Sequence, residues 1–294
     1  MAVAKKAVKS VEKKIVKKAP KVEVKKEVKE VVVAEKVVKT EKVIEEPKVE
    51  KVIEAVKEAP EFDKLPSLKD MLEAGMHFGH SIKRRNPRMD DYVYAVKNGV
   101  QIFDLVQTRQ ALSEACNYLI EIIAKGGQVM LVGTKAQAAE TIKSEAERLG
   151  VAFITNHWVG GLFTNWEQIK TRVDKLVDMK KKFEAGEYKK YTKKEQVLLK
   201  REVDRLERMY GGLVSLTGLP KVVVIVDPTR EITAMREATH RDIPVVAIVD
   251  SNGDPSGIEK VIPANDDALK SVVMLVSTLT AAIEKGLKLA NSRK

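Results

Sequence analysis

The sequence has few features that would direct the protein to an oxidising compartment or a membrane. Cys116 is its only cysteine, so no disulfide can form within the chain. The N-terminal region lacks the continuous apolar core of a signal peptide, and no later segment has the long uncharged run of a membrane helix. These absences predict a cytoplasmic protein with no membrane partner.

The positive charge is concentrated in two segments. The formal net charge is +11, and residues 1–60 contribute +6 of it through 17 lysines and 11 glutamates. Residues 167–208 contain 14 basic and 9 acidic residues, a further +5, and the rest of the chain is neutral. This distribution indicates a polyanionic partner bound by local basic patches on an ordinary globular protein.

The N-terminal segment has a composition that opposes folding. Residues 1–60 consist largely of Lys, Val, Glu and Ala, and they contain no aromatic residue and no glycine. Prolines interrupt the segment, and its apolar bulk is too small to offset the entropy of ordering. We predict a disordered tail over residues 1–64, which acts either as a solvated tether or as a binding arm.

The body of the chain alternates between helical and extended patterns. Apolar strands are predicted at Val129 to Val132, Val222 to Val226 and Val245 to Val249, with amphipathic helices between them. Before them, Asn98-Gly99 is predicted to be a turn between two short strands. Strands that are apolar on both faces indicate a parallel sheet covered on both sides. We therefore predict a doubly wound α/β body over residues 65–166 and 211–290, followed by a short tail at 291–294.

One interval of the body departs from this alternation. Residues 167–210 contain two apolar seams with steps of three and four residues, separated by Gly186. Two amphipathic helices packed as an antiparallel coiled-coil hairpin would satisfy both seams. The predicted outer face of this inserted hairpin is rich in lysine and includes Lys180.

A cationic run follows the first helix of the body. Residues 83–88 read Lys-Arg-Arg-Asn-Pro-Arg, and guanidinium groups on such an extended loop can each bind phosphate oxygens in a forked geometry. Phe78, His77 and His80 precede the run and could stack on unpaired bases. An ordinary solvated loop is the alternative. A zinc site built from His77, His80 and His157 is disfavoured, because the sequence shows no set of four ligands.

Two further segments keep an enzyme hypothesis open. Gly133-Thr134-Lys135 joins a strand to a helix and could hold a phosphate, but the spacing of a phosphate-binding loop is absent. Residues 250–255 place two carboxylates after another strand, as a turn or a magnesium site would. The alternative function is therefore a nucleotide- or sugar-phosphate-binding α/β enzyme.

Short motifs in the same order resemble the bacterial type of the ribosomal protein S2 (uS2) family. They cover residues 65 to 285 and leave the N-terminal extension outside. The matching stretches are His77 to His80, Asn86 to Met89, Lys97 to Val100, Val132 to Lys135, Trp158 to Gly161, Thr164-Asn165, Leu219-Pro220, Ile243 to Val245, Asp250 to Pro255 and Ile262 to Ala268.

The resemblance implies a flavodoxin-like sheet and a structural, non-enzymatic place in the small (30S) ribosomal subunit. It also implies binding to 16S rRNA between head and body, contacts with neighbouring small-subunit proteins, support of assembly and translation, and no cofactor, metal or small-molecule substrate. In many bacteria the family also helps to hold ribosomal protein one near the messenger RNA; whether that partner exists here stays open.

The resemblance also suggests which residues contact RNA. Those expected to do so are His77, His80, Lys83, Arg84, Arg85, Asn86, Arg88, Asn98, Lys135, Trp158, Asn165 and Trp166. Three positions depart from the family pattern. His157 replaces an arginine, which removes a permanent cation, whereas Ser251 and Ala264 are conservative changes from threonine and glycine.

Overall fold

The computed structural model describes residues 62–292. The predicted tail therefore lies outside the described residues, except at its end. There, Phe62 is buried in the core and its amide donates a hydrogen bond to Asn117 Oδ1 (3.0 Å), so the body begins before the predicted residue 65. At the other end the last helix continues to Ser292, two residues past the predicted limit.

The described chain contains two sheets and the helices that cover them. The strands are β1 (Phe78–Ser81), β2 (Val93–Lys97), β3 (Val100–Phe103), β4 (Val129–Val132), β5 (Ala152–Ile154), β6 (Val222–Val226), β7 (Val245–Val249) and β8 (Lys260–Pro263). The helices are α1 (Leu68–Glu73), α2 (Leu105–Ala124), α3 (Ala136–Leu149), α4 (Trp166–Glu184), α5 (Lys193–Tyr210), α6 (Ile232–His240) and α7 (Leu269–Ser292).

The larger sheet is parallel, in the order β5-β4-β6-β7-β8. This is the strand order of flavodoxin-like folds, with the reversal of order between β4 and β6. The doubly wound prediction is confirmed. Strand β5 was not predicted, because its three residues are too few to show the two-residue alternation of a strand.

Each face of this sheet packs against its own layer of helices. Val129 and Leu131 of β4 belong to the core formed with α1, α2, α3 and α7. Met130 and Val132 belong to the opposite core, formed with α4, α5 and α6. Because successive strand residues point to opposite faces, the apolar strands fill both cores.

A smaller antiparallel sheet, in the order β1-β3-β2, follows the first helix in the chain. The Asn-Gly turn joins β2 to β3 as predicted, with positive φ angles of 54° at Asn98 and 76° at Gly99. Asn98 is thus a turn residue. Strand β1 was missed, because its sequence is polar and short.

Helices α4 and α5 pack against each other as the expected hairpin. Ile169, Val173 and Leu176 of α4 are buried in the same core as Leu206 and Tyr210 of α5. Lys180 was expected on the outer face, but its ammonium forms an ion pair with Glu207 across the hairpin. No described helix has both the length and the apolar composition needed to cross a membrane.

Gly212, just after α5, provides a test of this packing. A Cβ atom there would lie 2.3 Å from the backbone oxygen of Phe153, which cannot move without distorting β5. We expect Gly212→Ala to lower the free energy of unfolding by about 2 kcal/mol, as overpacking does. Gly218→Ala is the matched control, because its Cβ would meet no atom within 4 Å. Chemical denaturation with equal loss in both variants would contradict the close approach.

Candidate functional site

The predicted cationic loop lies against the end of strand β7. His80 N donates a hydrogen bond to Ser251 Oγ, and Asn86 N donates one to the Ser251 carbonyl oxygen, both at 2.8 Å. Asn86 Oδ1 in turn accepts from Arg88 N (3.1 Å). The loop is therefore fixed at both ends to the parallel sheet, although the segments are more than 160 residues apart in sequence.

The four cations of the loop are not equivalent. Lys83 and Arg84 are exposed and have no salt bridge among the described residues, and Arg85 approaches Asp90 only to 3.6 Å. Arg88 is held more firmly, because its Nη1 atom donates to both carboxylate oxygens of Asp254 at 3.0 and 2.9 Å. The loop thus presents Lys83, Arg84 and Arg85 to an external anion, whereas Arg88 stabilises the loop.

Behind the loop, a histidine and several carboxylates meet at the carboxyl ends of the parallel strands. His80 Nδ1 lies 3.1 Å from Asp250 Oδ2, and its Nε2 lies 3.4 Å from Asp267 Oδ2. Lys135 Nζ contacts Asp266 Oδ1 at 2.8 Å and Asp267 Oδ1 at 2.5 Å. This is the edge at which ligands bind in open α/β sheets.

The charges of this cluster depend on one another. The neighbouring Asp250 raises the pKa of His80, which favours the imidazolium form. Burial, together with the nearby charge of Asp227, raises the pKa of Asp266 to about 7 despite its contact with Lys135. Burial alone would lower the pKa of Lys135, but its bonds to Asp266 and Asp267 outweigh burial and raise it.

The cluster also contains a possible set of metal ligands. His80, Asp250, Asp266 and Asp267 each offer one ligand atom, and these atoms lie within 4.8 Å of one another. Asp250 Oδ2 is buried, and although it lies 3.1 Å from His80 Nδ1, it has no hydrogen-bond partner of good geometry among the described residues. One imidazole and three carboxylates suit a divalent cation such as Zn²⁺.

The sequence-based judgement that no four-ligand set exists was therefore wrong. His80 is joined by carboxylates that follow distant strands, and neither His77 nor His157 belongs to the set. The sequence did contain a signal for this site. Acidic residues follow β6, β7 and β8, and parallel strands bring the residues at their carboxyl ends to the same edge of the sheet.

The turn after β4 does not have the free donors of a phosphate site. Glu231 is buried, and its Oε1 accepts hydrogen bonds from Thr134 N (3.2 Å) and from the Thr134 hydroxyl. The Lys135 ammonium is already engaged by two carboxylates. Protein anions thus occupy the groups that a nucleotide phosphate would need, which weakens the enzyme hypothesis.

A second buried carboxylate organises the Trp158 to Gly161 motif. Glu237 Oε1 accepts from Trp158 Nε1 (3.0 Å) and Gly161 N (2.8 Å), and Glu237 Oε2 accepts from Phe163 N (2.9 Å). Burial opposes ionisation of Glu237, but these bonds outweigh it and lower its pKa. Sequence reasoning missed Glu237, because a lone glutamate on a helix gives no sign of such donors.

Several residues expected to contact RNA have other contacts in the structure. The Trp158 ring is only 4% exposed, so it packs in the core and has no free face for a base. Lys135 faces carboxylates, and Asn98 makes a turn. Asn165 is exposed and Trp166 half-buried at the start of α4. The segment from His77 to Arg88, in which Phe78, Ser81 to Arg85, Pro87 and Arg88 are exposed, therefore remains as one continuous candidate surface.

His77 and Phe78 border this surface. Their ring centroids lie 3.9 Å apart, and Phe78 is 49% exposed. Burial lowers the pKa of His77, and its Nδ1 has no hydrogen-bond partner among the described residues. Burial therefore favours the neutral form of His77, which contributes an aromatic face, whereas Lys83 and Arg84 contribute charge.

Comparison with known proteins gave two findings. Residues 71–286 match the family model described as ribosomal protein S2. The chain is also 44% identical over 220 residues to the small ribosomal subunit protein uS2 of Picosynechococcus sp. (strain PCC 7002). That alignment covers 75% of this chain and 86% of the relative. The family-model match includes the loop, the carboxylate cluster and the hairpin.

Proposed function

This chain belongs to the ribosomal protein S2 family, and from that premise we propose that it is a structural protein of the small ribosomal subunit. It binds 16S rRNA between head and body and supports assembly and translation in the cytoplasm. Its protein neighbours are other small-subunit proteins. We further propose that residues 62–166 and 211–292 form the RNA-binding body and that residues 167–210 are its inserted hairpin.

The observation that supports RNA binding best is the fixed cationic loop. Lys83, Arg84 and Arg85 are exposed and lie on a backbone that is hydrogen-bonded to Ser251. Such a loop loses little entropy on binding, and each phosphate that it neutralises releases counterions. A rigid cationic loop on a body whose charges otherwise sum to a negative value concentrates the attraction for phosphates at one edge, which suits folded RNA, whose shape and phosphates are read together.

The same edge supports a function without a chemical step. Glu231 and the acidic partners of Lys135 occupy the donors of the strand-end turns. A free nucleotide would meet carboxylates where it needs hydrogen-bond donors. The family membership and this charge distribution both support the proposal of a binding protein with no small-molecule substrate.

Sedimentation tests the proposal. We expect the full chain to co-sediment with small subunits that lack this protein, and to dissociate steeply as salt rises, because phosphate contacts dominate. Large subunits at equal concentration are the control. A chain that sediments equally with both, or that gains strong saturable thermal stability from one nucleotide, would contradict the proposal and favour the enzyme.

A further inference from the structure

The carboxylate cluster behind the cationic loop carries an excess of negative charge. Four carboxylates lie around His80 and the Lys135 ammonium, so the net charge is −3 when His80 is neutral and −2 when it is protonated; the carboxylates are those of Asp227, Asp250, Asp266 and Asp267. The side chains of Asp250 and Asp266 are only 1% and 2% exposed, and burying charge without compensation is costly. A divalent cation would remove most of this excess.

Asp250 gives a second, independent indication of a bound cation. Its Oδ1 atom accepts a hydrogen bond from the Ser251 amide, but its buried Oδ2 atom has no hydrogen-bond partner of good geometry among the described residues. That oxygen faces His80, whose Nδ1 atom lies 3.1 Å away. In the same turn, Asn252 Oδ1 is also buried without a partner in the described part of the chain. Both atoms are acceptors, and a cation satisfies acceptors.

The distances between the donor atoms resemble those between the ligands of one metal ion. Bonds of about 2.0–2.2 Å place the ligand atoms of a tetrahedral zinc site about 3.4 Å apart. His80 Nδ1 lies 3.1 Å from Asp250 Oδ2, and His80 Nε2 lies 3.4 Å from Asp267 Oδ2. One ligand atom from each of the four residues lies within 4.8 Å of the others, so an ion would shorten the longest separation by about 1 Å.

The His80 ring is oriented as a metal-binding histidine requires. Because a carboxylate lies beside each ring nitrogen, the nitrogen that does not bind an ion can donate its hydrogen to the other carboxylate. Such a partner fixes the tautomer and the ring orientation in many metal sites. Asp267 is 55% exposed, which gives an ion a path from solvent into the cluster.

The ligand types favour a transition-metal ion over magnesium. An imidazole nitrogen suits Zn²⁺ and its first-row neighbours, whereas Mg²⁺ prefers oxygen ligands and keeps several waters. The Lys135 ammonium is the competing source of positive charge, since it contacts Asp266 and Asp267 at 2.8 and 2.5 Å. It contacts Oδ1 of each carboxylate, which leaves a second oxygen on each for an ion.

We propose that His80, Asp250, Asp266 and Asp267 bind one divalent transition-metal ion such as Zn²⁺, which joins the cationic loop to the parallel sheet. His80 lies in β1, directly before the loop, and the three carboxylates follow β7 and β8. The ion therefore adds a link between loop and sheet to the hydrogen bonds that Ser251 makes with the loop. The inference is independent of the proposed function, because it concerns the free protein.

Calorimetric titration of the full chain with Zn²⁺ tests the site, after EDTA has removed bound metal and has itself been removed. We expect one Zn²⁺ per chain, and no competition from Mg²⁺ in large excess. Asp250→Asn keeps the volume of the side chain but removes its charge. It is expected to weaken Zn²⁺ binding about 100-fold, because the loss of an outer partner alone costs about 10–100-fold.

His157→Ala is the matched control, since His157 is exposed and lies outside the set of ligands. This variant should bind Zn²⁺ as the wild type does. A wild-type chain that does not bind Zn²⁺ would overturn the proposal and leave Lys135 as the cation of the cluster. Equal Zn²⁺ affinity in wild type and Asp250→Asn would also overturn it.

Melting temperatures distinguish a lost ligand from a damaged fold. In EDTA, Asp250→Asn should melt at the same temperature as wild type or higher, because it relieves the excess of buried negative charge. With Zn²⁺ the order should reverse, because the ion stabilises the folded wild type and binds the variant weakly. If the variant melts lower than wild type by the same amount in both conditions, Asp250 has only a structural role.

Limited digestion with trypsin tests the link to the loop. Lys83, Arg84 and Arg85 are exposed cleavage sites, and Lys189 and Lys190 are exposed sites far from the cluster in sequence. Zn²⁺ is expected to slow cleavage at the first group severalfold and to leave the second group unchanged. Equal rates at the loop with and without Zn²⁺, or equal slowing at both groups, would contradict a metal that holds the loop.

Discussion

Glu237→Gln is expected to lower the free energy of unfolding by about 3 kcal/mol, since hydrogen bonds to a buried charged group contribute about 1.5–3 kcal/mol each and several share this carboxylate. The Glu237 carboxylate accepts hydrogen bonds from Trp158, Gly161 and Phe163, and Glu237 itself is only 8% exposed. Glutamine would replace one acceptor oxygen with an NH₂ group that faces other donors. Urea denaturation of the full chain measures the loss.

The same carboxylate predicts a pH dependence. The pKa of Glu237 is lower in the folded protein than in the unfolded chain, so its contribution is complete above the unfolded value. It is lost as pH falls below about 4.3 toward the folded pKa. Glu140→Gln, on the exposed face of α3, is the control and should change neither stability nor its acid limb. Parallel acid limbs in wild type and Glu237→Gln would contradict the assignment.

The elements that sequence predicts well are those whose signal lies within one segment. Strand β6 is apolar at every position, and its five residues are buried on both faces. The Asn98-Gly99 turn follows from the two residues that best tolerate positive φ. The hairpin follows from two seams with the helical period. Each of these needs only local sequence and the general rules of packing.

The elements that sequence misses depend on partners that are distant along the chain. Glu237 gathers donors from a loop more than 70 residues earlier, and His80 meets Asp250 after 170 residues. A lone acidic residue has the same local signature whether it is solvated or buried. Parallel topology shows that acidic strand ends share an edge, but only coordinates show that their oxygens converge on one histidine.

The candidate site was predicted only in part from the sequence. Its cations were identified from a run in the sequence, yet their roles could not be separated there. Arg88 and Arg84 look alike in sequence, but Arg88 is bound to Asp254 at 2.9 Å whereas Arg84 has no salt bridge among the described residues. Asp254 lies in a turn whose approach to the loop depends on the whole sheet. Free and engaged cations are thus distinguished only after folding.

That distinction leads to a prediction with a large effect on binding. Replacing Lys83, Arg84 and Arg85 together by alanine is expected to weaken binding to small-subunit RNA about 100-fold at physiological salt, because three phosphate contacts are lost. The slope of log affinity against log salt should fall by about 2–3. Filter binding across a salt series measures both quantities. The fold should be unaffected, because all three side chains are exposed.

A second triple variant separates the position of the charge from its amount. Lys125, Lys143 and Lys288 are exposed and pair with glutamates on their own helices, far in sequence from the loop. Their replacement by alanine removes the same three charges, and it should leave affinity nearly unchanged if the loop is the contact. Equal weakening by both variants would mean that net charge alone attracts the RNA. No described carboxylate lies within 3.5 Å of Lys83, Arg84 or Arg85, so these cations are available to the RNA. If the loop variant nevertheless retains its affinity, the three side chains do not belong to the interface.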